Sequence, residues 1–283
     1  MTTKKVNAKR LGIYLLIVFL FMLLNILCAK PMNQSNTVYY VIYMIFSFSP
    51  AIASLITRFV TKEGFRDMKL HLHFIGNFKW YILAFGLPLL CFSAMFMLPV
   101  IVSGHTDWLG GFTFCNVLSN ALILFAFSAV QSIGLLGEEL GWRGYMNQKM
   151  EPLFGTVGTC LIGGIVWGLW HLPMDIVGYL GGYGTLSEAL GSTFGRFAML
   201  TCFGAFLMWL TKKTDSVFPA VIAHFMYNES QGAVMMLLGE GNIPEDASLP
   251  LWTDVLRYLP LFVIAVVFVV LLLRDKKRSI QTV

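Results

Sequence analysis

Long apolar runs separated by short polar stretches dominate this chain. Eight runs can be marked, at about 11–29, 38–60, 80–103, 117–140, 157–180, 194–211, 216–238 and 258–273. Most have the ~20 residues that a helix needs to cross a bilayer core of ~30 Å. The sixth and the last are shorter but still long enough to span. The pattern predicts an all-α fold, a polytopic membrane helical bundle of about eight transmembrane helices. Composition agrees: 57% of the 283 residues are hydrophobic, 12% are charged, and the mean hydropathy is +0.72, far above a soluble domain of this length.

Charge adds an orientation. Eight spans put both termini on one side. With them go Lys4, Lys5, Lys9 and Arg10, then Arg58, Lys62, Arg66, Lys69 and Lys79, then Arg143 and Lys149, then Lys212 and Lys213, and last Arg274, Lys276, Lys277 and Arg278. Only Lys30, Arg196 and Arg257 of the 20 basic residues fall on the other side. The positive-inside rule then gives an N-in, C-in topology. The net charge of +5 needs no nucleic acid as partner. It reads as topology signals and as anchors for anionic membrane lipid. The first apolar run is long and is followed by no small-x-small cleavage site, so it reads as a retained helix. The expected location is the cell membrane, multi-pass; the short, loop-poor chain looks bacterial.

The polar positions inside the runs divide the chain. The first three spans carry no embedded acid, and Pro50, Pro88 and Pro99 kink them in a way neighbouring helices tolerate. The loop around 61–80 is basic and amphipathic, and is expected to lie along the cytoplasmic interface, with His71 and His73 on a solvated face. Cys28, Cys91, Cys115, Cys160 and Cys202 lie in or beside apolar runs without a close pair and read as small buried hydrophobes. From Leu118 onward Gln131, Glu138, Glu139, Arg143, His171, Asp175, His224 and Asn228 appear within the spans. One membrane-embedded domain, 1–283, thus comprises scaffold helices (1–116), core helices with the chemistry (117–240), and a last loop with a terminal helix (241–283).

Ionisable groups in a membrane are costly and mark function. In the stretch GLLGEELGWRGYMNQKM, Glu139 and Arg143 are i,i+4 neighbours and can pair. Gly134, Gly137, Gly141 and Gly144 fall roughly on the opposite face and invite a close helix. Glu138 lies between, with no cation on its own helix, and is left for chemistry. His171 stands in the apolar run GGIVWGLWHLPM. Pro173 should bend the helix there and make room for a polar side chain or water. Trp167 is one turn before His171 on the same face, and Asp175 one turn after, where it could orient the imidazole. Gly164 and Gly168 form a GxxxG contact. His224 and Asn228, again i,i+4, point the same way from the seventh span. One acid, two histidines and an amide read as hydrolytic chemistry.

Three motifs in order, EExxxR at Glu138–Arg143, aromatic-xxx-His at Trp167–His171 and HxxxN at His224–Asn228, resemble those of the CPBP intramembrane proteases. This family includes type II CAAX prenyl endopeptidases and bacteriocin-processing and immunity proteins. The resemblance covers about Leu118–Leu238, with Trp167 where the family usually has Phe. It implies an intramembrane endopeptidase acting near the cytoplasmic leaflet on a membrane-anchored protein tail, CAAX-like or of the bacteriocin or leader type, or on a small hydrophobic peptide. Glu138 with His171 would activate water, His224 and Asn228 would stabilise the oxyanion, and Glu139, Arg143 and Trp167 would support the site. No cofactor is favoured, since no HExxH is present. The alternative is a zinc-dependent protease with Glu138, His171 and His224 as ligands. A transporter or a bacteriocin-immunity protein without proteolytic activity would use the same polar residues, although no inverted repeat supports a transporter. The sequence assigns no oligomeric state.

The topology makes an expected outcome. Tags at residues 1 and 283 should be cytoplasmic, and a tag within Gly239–Pro250 should be cut by protease added to intact cells. A shielded tag at that loop would overturn the eight-span map.

Overall fold

Residues 3–29, 37–109, 113–127, 131–182, 184–239, 249–250 and 252–281 are described by a computed structural model, and among them every regular element is a helix. They are α1 (Thr3–Ala29), α2 (Thr37–Ser47), α3 (Ser49–Val60), α4 (Phe78–Val102), α5 (Phe114–Phe127), α6 (Gln131–Gly141), α7 (Asn147–Trp170), α8 (Leu172–Leu180), α9 (Leu186–Thr214), α10 (Phe218–Gly239) and α11 (Trp252–Gln281). A single π turn, Trp142–Met146, joins α6 to α7. Helices lie over each of the eight predicted runs. Among the described residues five stretches are long and apolar enough to cross a membrane. The 38–60 run is divided: α2 and α3 meet at Phe48, where Pro50 occupies the first turn of α3. All-helical structure follows from the solvent, because in hydrocarbon each backbone N–H and C=O must be satisfied within its own segment.

Two further breaks shape the core. Gly155, with φ 69° and ψ 179°, interrupts α7, a conformation that costs glycine little. Behind it Thr159 Oγ1 bonds the Gly155 carbonyl at 2.7 Å. At the other end of α7 the chain bends at His171 between α7 and α8, with Pro173 in the first turn of α8. The predicted bend is therefore present. α9 opens with a reciprocal cap: Glu188 N–H donates to Thr185 Oγ1, and Thr185 N–H donates to the Glu188 carboxylate.

Small residues bring the helices together as expected. A Cβ on Gly141 would sit 2.3 Å from Pro50 Cβ, and one on Gly164 2.3 Å from Thr201 Cα. α6 thus lies against the start of α3, and α7 against α9. Gly144 differs: it meets the Met68 carbonyl of the 61–77 loop, not a helix. Between the helices lies an aromatic core that includes Tyr14, Trp142, Tyr145, Trp167, Phe203 and Phe206. By contrast α1 and α11 show leucine and valine outward, for example Leu27, Val255 and Phe262, which suits contact with lipid.

One end of the bundle is a network of ion pairs. Arg10 and Lys149 both reach Glu63, Tyr145 donates to Glu63 at 3.1 Å, and Arg58 reaches Asp67 and the Gly64 carbonyl. Lys69 pairs with Asp215, Lys212 with Glu151 and Lys213 with Asp275. These contacts place the N-terminal part of α1 and the C-terminal part of α11 at the same end. They also correct one expectation. Arg58 and Lys149 are not lipid anchors; at 1% and 6% exposure they are buried and paired. The 61–77 loop is a series of turns tied to the α9–α10 junction, through Val217 N–H to the Lys69 carbonyl at 3.0 Å and His73 Nδ1 to the Thr214 carbonyl at 3.1 Å. Its polarity serves internal pairing, because charges screened from water need partners. Asp67 illustrates this: partial burial pushes its carboxyl up, but the hydrogen bond and charge of Arg58 outweigh that and hold it below the usual range.

Close packing generates a test. Gly164→Ala would place its Cβ on backbone and force α7 from α9, an overpacking cost of about 1–3 kcal/mol. Gly178→Ala meets nothing within 4 Å and should leave stability unchanged or slightly raised. Thermal unfolding of both variants in detergent should separate them, Gly164→Ala falling by several degrees.

Candidate active site

Adjacent residues on a helix point about 100° apart, and α6 uses this to give its two glutamates different surroundings. Glu139 turns into the bundle, where it is 0% exposed. Its Oε1 accepts from Arg143 Nη1 at 3.1 Å and from His224 Nδ1 at 2.9 Å. The pairing with Arg143 was legible from spacing; the pairing with His224, on α10, was not. Arg143 is sandwiched further, its guanidinium 4.0 Å from the centre of the Trp167 ring. Such a stack suits a weakly hydrated planar cation.

Glu138 turns toward a cavity and receives one hydrogen bond, from Trp167 Nε1–H to Oε2 at 3.1 Å. Trp167 therefore performs two tasks, carrying Arg143 on its face and holding Glu138 with its edge. A phenylalanine, usual in the resembled family, could do only the first. The indole also meets the His224 ring edge-to-face at 5.0 Å.

His171 stands at the bend after α7, and its Nδ1 lies 3.0 Å from the Trp167 carbonyl. A carbonyl only accepts, so Nδ1 carries the proton and a neutral ring keeps its lone pair on Nε2. Asp175 does not orient this ring. Its carboxylate instead accepts from Arg196 at 2.7 Å, Thr193 at 2.9 Å and Ser192 at 3.3 Å. The sequence placed Asp175 one turn from His171, but α9 brings a cation and two hydroxyls to it first. The ring is held from the other side by Trp170, edge-to-face at 4.7 Å, whose indole N–H donates to Ser49 Oγ at 2.9 Å.

Glu138, His171, His224 and Asn228 all line one cavity of about 910 Å³, at the upper end of the range for small-molecule sites. Glu139, Arg143 and Trp167 stand behind its wall. Sequence reasoning missed several contributors. Met44 and Ser47 come from α2, within the segment expected to be scaffold, and Tyr258 from α11, while Arg196 carries a charge into the wall. Arg196 was visible as a basic residue on the sparsely charged side, which is the one signal that could have drawn attention to it. Gln131 lies in α6, with no description of its side chain.

The arrangement offers a carboxylate, a ring nitrogen with a free lone pair, and N–H donors around one space. Among the described residues no three His, Cys, Asp or Glu side chains are grouped so that they could hold a metal ion together. Each histidine has its Nδ1 committed, that of His171 to the Trp167 carbonyl and that of His224 to Glu139.

The family model for type II CAAX prenyl endopeptidase Rce1-like proteins matches residues 115–229. That stretch is similar to Rce1-like proteins. The matched stretch includes all three motifs, and so bears out the resemblance to CPBP intramembrane proteases. "CAAX prenyl protease 2" of Methanococcus maripaludis is 28% identical over 123 residues. That match spans 43% of this chain and 43% of that protein.

The division between the glutamates can be measured. Glu139→Gln leaves Arg143 buried without its carboxylate, a cost of about 3–5 kcal/mol when such a pair is desolvated. It should lower yield or thermal stability. Glu138→Gln keeps size and hydrogen-bonding capacity and should leave folded protein in the membrane. Equal loss of folding in both would overturn the division.

Proposed function

We propose that this protein is an intramembrane endopeptidase that hydrolyses a peptide bond of a membrane-associated protein or hydrophobic peptide. The observation that carries this reading is the shared cavity: Glu138, His171, His224 and Asn228, from three parts of the chain, line one space, while Glu139 and Arg143 are paired behind it. The likeness to a CAAX prenyl protease supports a substrate anchored near the membrane.

In the proposed reaction a water lies between Glu138 and Nε2 of His171. Glu138 takes its proton as the oxygen attacks the peptide carbonyl carbon, and His171 orients the water through its lone pair. Asn228 and His224 donate to the oxyanion of the tetrahedral intermediate. To donate from Nε2 while Nδ1–H faces Glu139, His224 must be doubly protonated, and the Glu139 carboxylate stabilises that cation, as the buried carboxylate does beside the histidine of a catalytic triad. The carbon–nitrogen bond then breaks, and the proton held by Glu138 passes to the leaving amine. Atoms and charges balance without a cofactor.

Glu138→Gln should abolish cleavage. Comparing the peptides of membranes that hold wild type or this variant should reveal both activity and substrate, and identical peptide profiles would overturn the proposal. Thoroughly demetallated enzyme should retain turnover, and His224→Ala should lose about 10²–10³ in rate, the usual cost of one oxyanion donor. Stoichiometric zinc in active enzyme, with chelator inhibition reversed by zinc, would replace this mechanism with the metal-dependent one.

A further inference from the structure

The cavity and the ion-pair network lie toward opposite ends of the bundle. α9 shows it most directly, because it is one 29-residue helix, about 43 Å long at ~1.5 Å per residue. Its last turn carries Lys212 and Lys213, paired to Glu151 and Asp275 at the basic end. Its cavity-lining residues are Gly191, Ser192, Gly195, Arg196, Met199 and Leu200, all in the other half. Counted from Thr214, Arg196 is about 27 Å and Gly191 about 35 Å along the axis. That reaches past the ~30 Å hydrocarbon thickness.

Two other helices agree. α10 starts at Phe218, beside the Val217–Lys69 contact of the basic end. On it His224 is about 9 Å along and Asn228 about 15 Å, and both face the cavity. α11 reaches the basic end at Asp275, and its cavity residue Tyr258 is roughly 26 Å back along the helix. The reactive groups thus form the floor of a space that rises away from the basic end.

A groove of about 870 Å³ at the basic end, lined by residues such as Lys69, Glu151 and Lys213, shares no lining residue with the cavity, and packed side chains separate the two. Glu139 and Arg143 are buried, and under them come Tyr145, Lys149, Glu63 and Arg58, bonded to one another or in stacked contact. A crevice between Arg143 and Lys212 on this side holds about 30 Å³, room for a few waters at most. A peptide cannot pass it. At the other end Gly191 and Ser192 are exposed.

We infer that this site is entered from the face opposite the basic end, which the charge distribution makes the non-cytoplasmic face. The substrate is then a peptide segment lying in or beyond the non-cytoplasmic half of the membrane, and not a tail presented in the cytoplasm. The inference concerns the cavity that the proposed hydrolysis uses, and it replaces the cytoplasmic approach expected from the family resemblance.

The test reads accessibility and not cleavage, so its failure and that of the hydrolytic reading are distinct. In protein with the exposed Cys28 and Cys115 changed to serine, cysteine is placed at the rim (Ser192→Cys), within the cavity (Gly195→Cys, Met199→Cys) and at the basic end (Lys277→Cys). Intact cells are treated with a membrane-impermeant cationic thiosulfonate, and labelling is compared with that of the parent protein. Ser192→Cys and at least one of the inner positions should be labelled several-fold above the parent, and Lys277→Cys only after the membrane is opened. Two positions inside the cavity guard against one that fails to fold. Labelling of the inner cysteines only after opening the membrane, or from neither face while Ser192→Cys reacts, would overturn the inference. So would labelling of Lys277→Cys in intact cells.

Discussion

A carboxylate buried in a membrane protein must be paired, and the structure turns on how Glu139 meets that demand. Its Oε1 accepts from Arg143 on its own helix and from His224 on α10. Removing one partner from such a set leaves a charge with no solvent to receive it. The arrangement therefore fixes α6 against α10, and with them the positions of Glu138 and Asn228. Arg143 in turn rests on Trp167, which brings α7 and the His171 bend into the same unit. One buried charge cluster thus sets the geometry of the cavity wall.

Trp167 links the structural and the reactive sides of that wall. Its face supports a cation and its N–H reaches Glu138, so the two adjacent glutamates, which point apart, are coupled through one ring. The carbonyl of the same residue accepts from His171 Nδ1. That fixes the tautomer of the second reactive group. Both proposed water-activating residues are hence oriented by a single residue. Small residues make this possible: Gly164 and Gly168 let α7 lie directly on α9, and Gly141 lets α6 lie on Pro50.

The charge network at the basic end has a different role. Arg10, Arg58, Lys69, Lys149, Lys212 and Lys213, which a topology rule counts as orientation signals, pair with Glu63, Asp67, Glu151, Asp215 and Asp275. They tie loops to helices and fill the space under the site. The two effects are compatible, since charge on one end orients the chain during insertion and packs that end afterward.

The all-helical class and the places of the apolar helices were legible in the sequence, because a bilayer admits few solutions and a run of about 20 apolar residues declares its own conformation. So were local pairs at helical spacing, Glu139 with Arg143 and His224 beside Asn228, and the bend that Pro173 makes at His171. The burial and pairing of Arg58 and Lys149 were not legible, because a basic residue reads the same in sequence whether it faces lipid headgroups or an internal carboxylate. Contacts between distant segments were beyond reach. Asp175 pairs with Arg196 and not His171, His224 with Glu139, and α2 and α11 contribute to the cavity. Spacing reports which residues share a helix face, but which face meets which neighbour depends on how all the helices pack at once. That global packing decided where the cavity lies relative to the charged end.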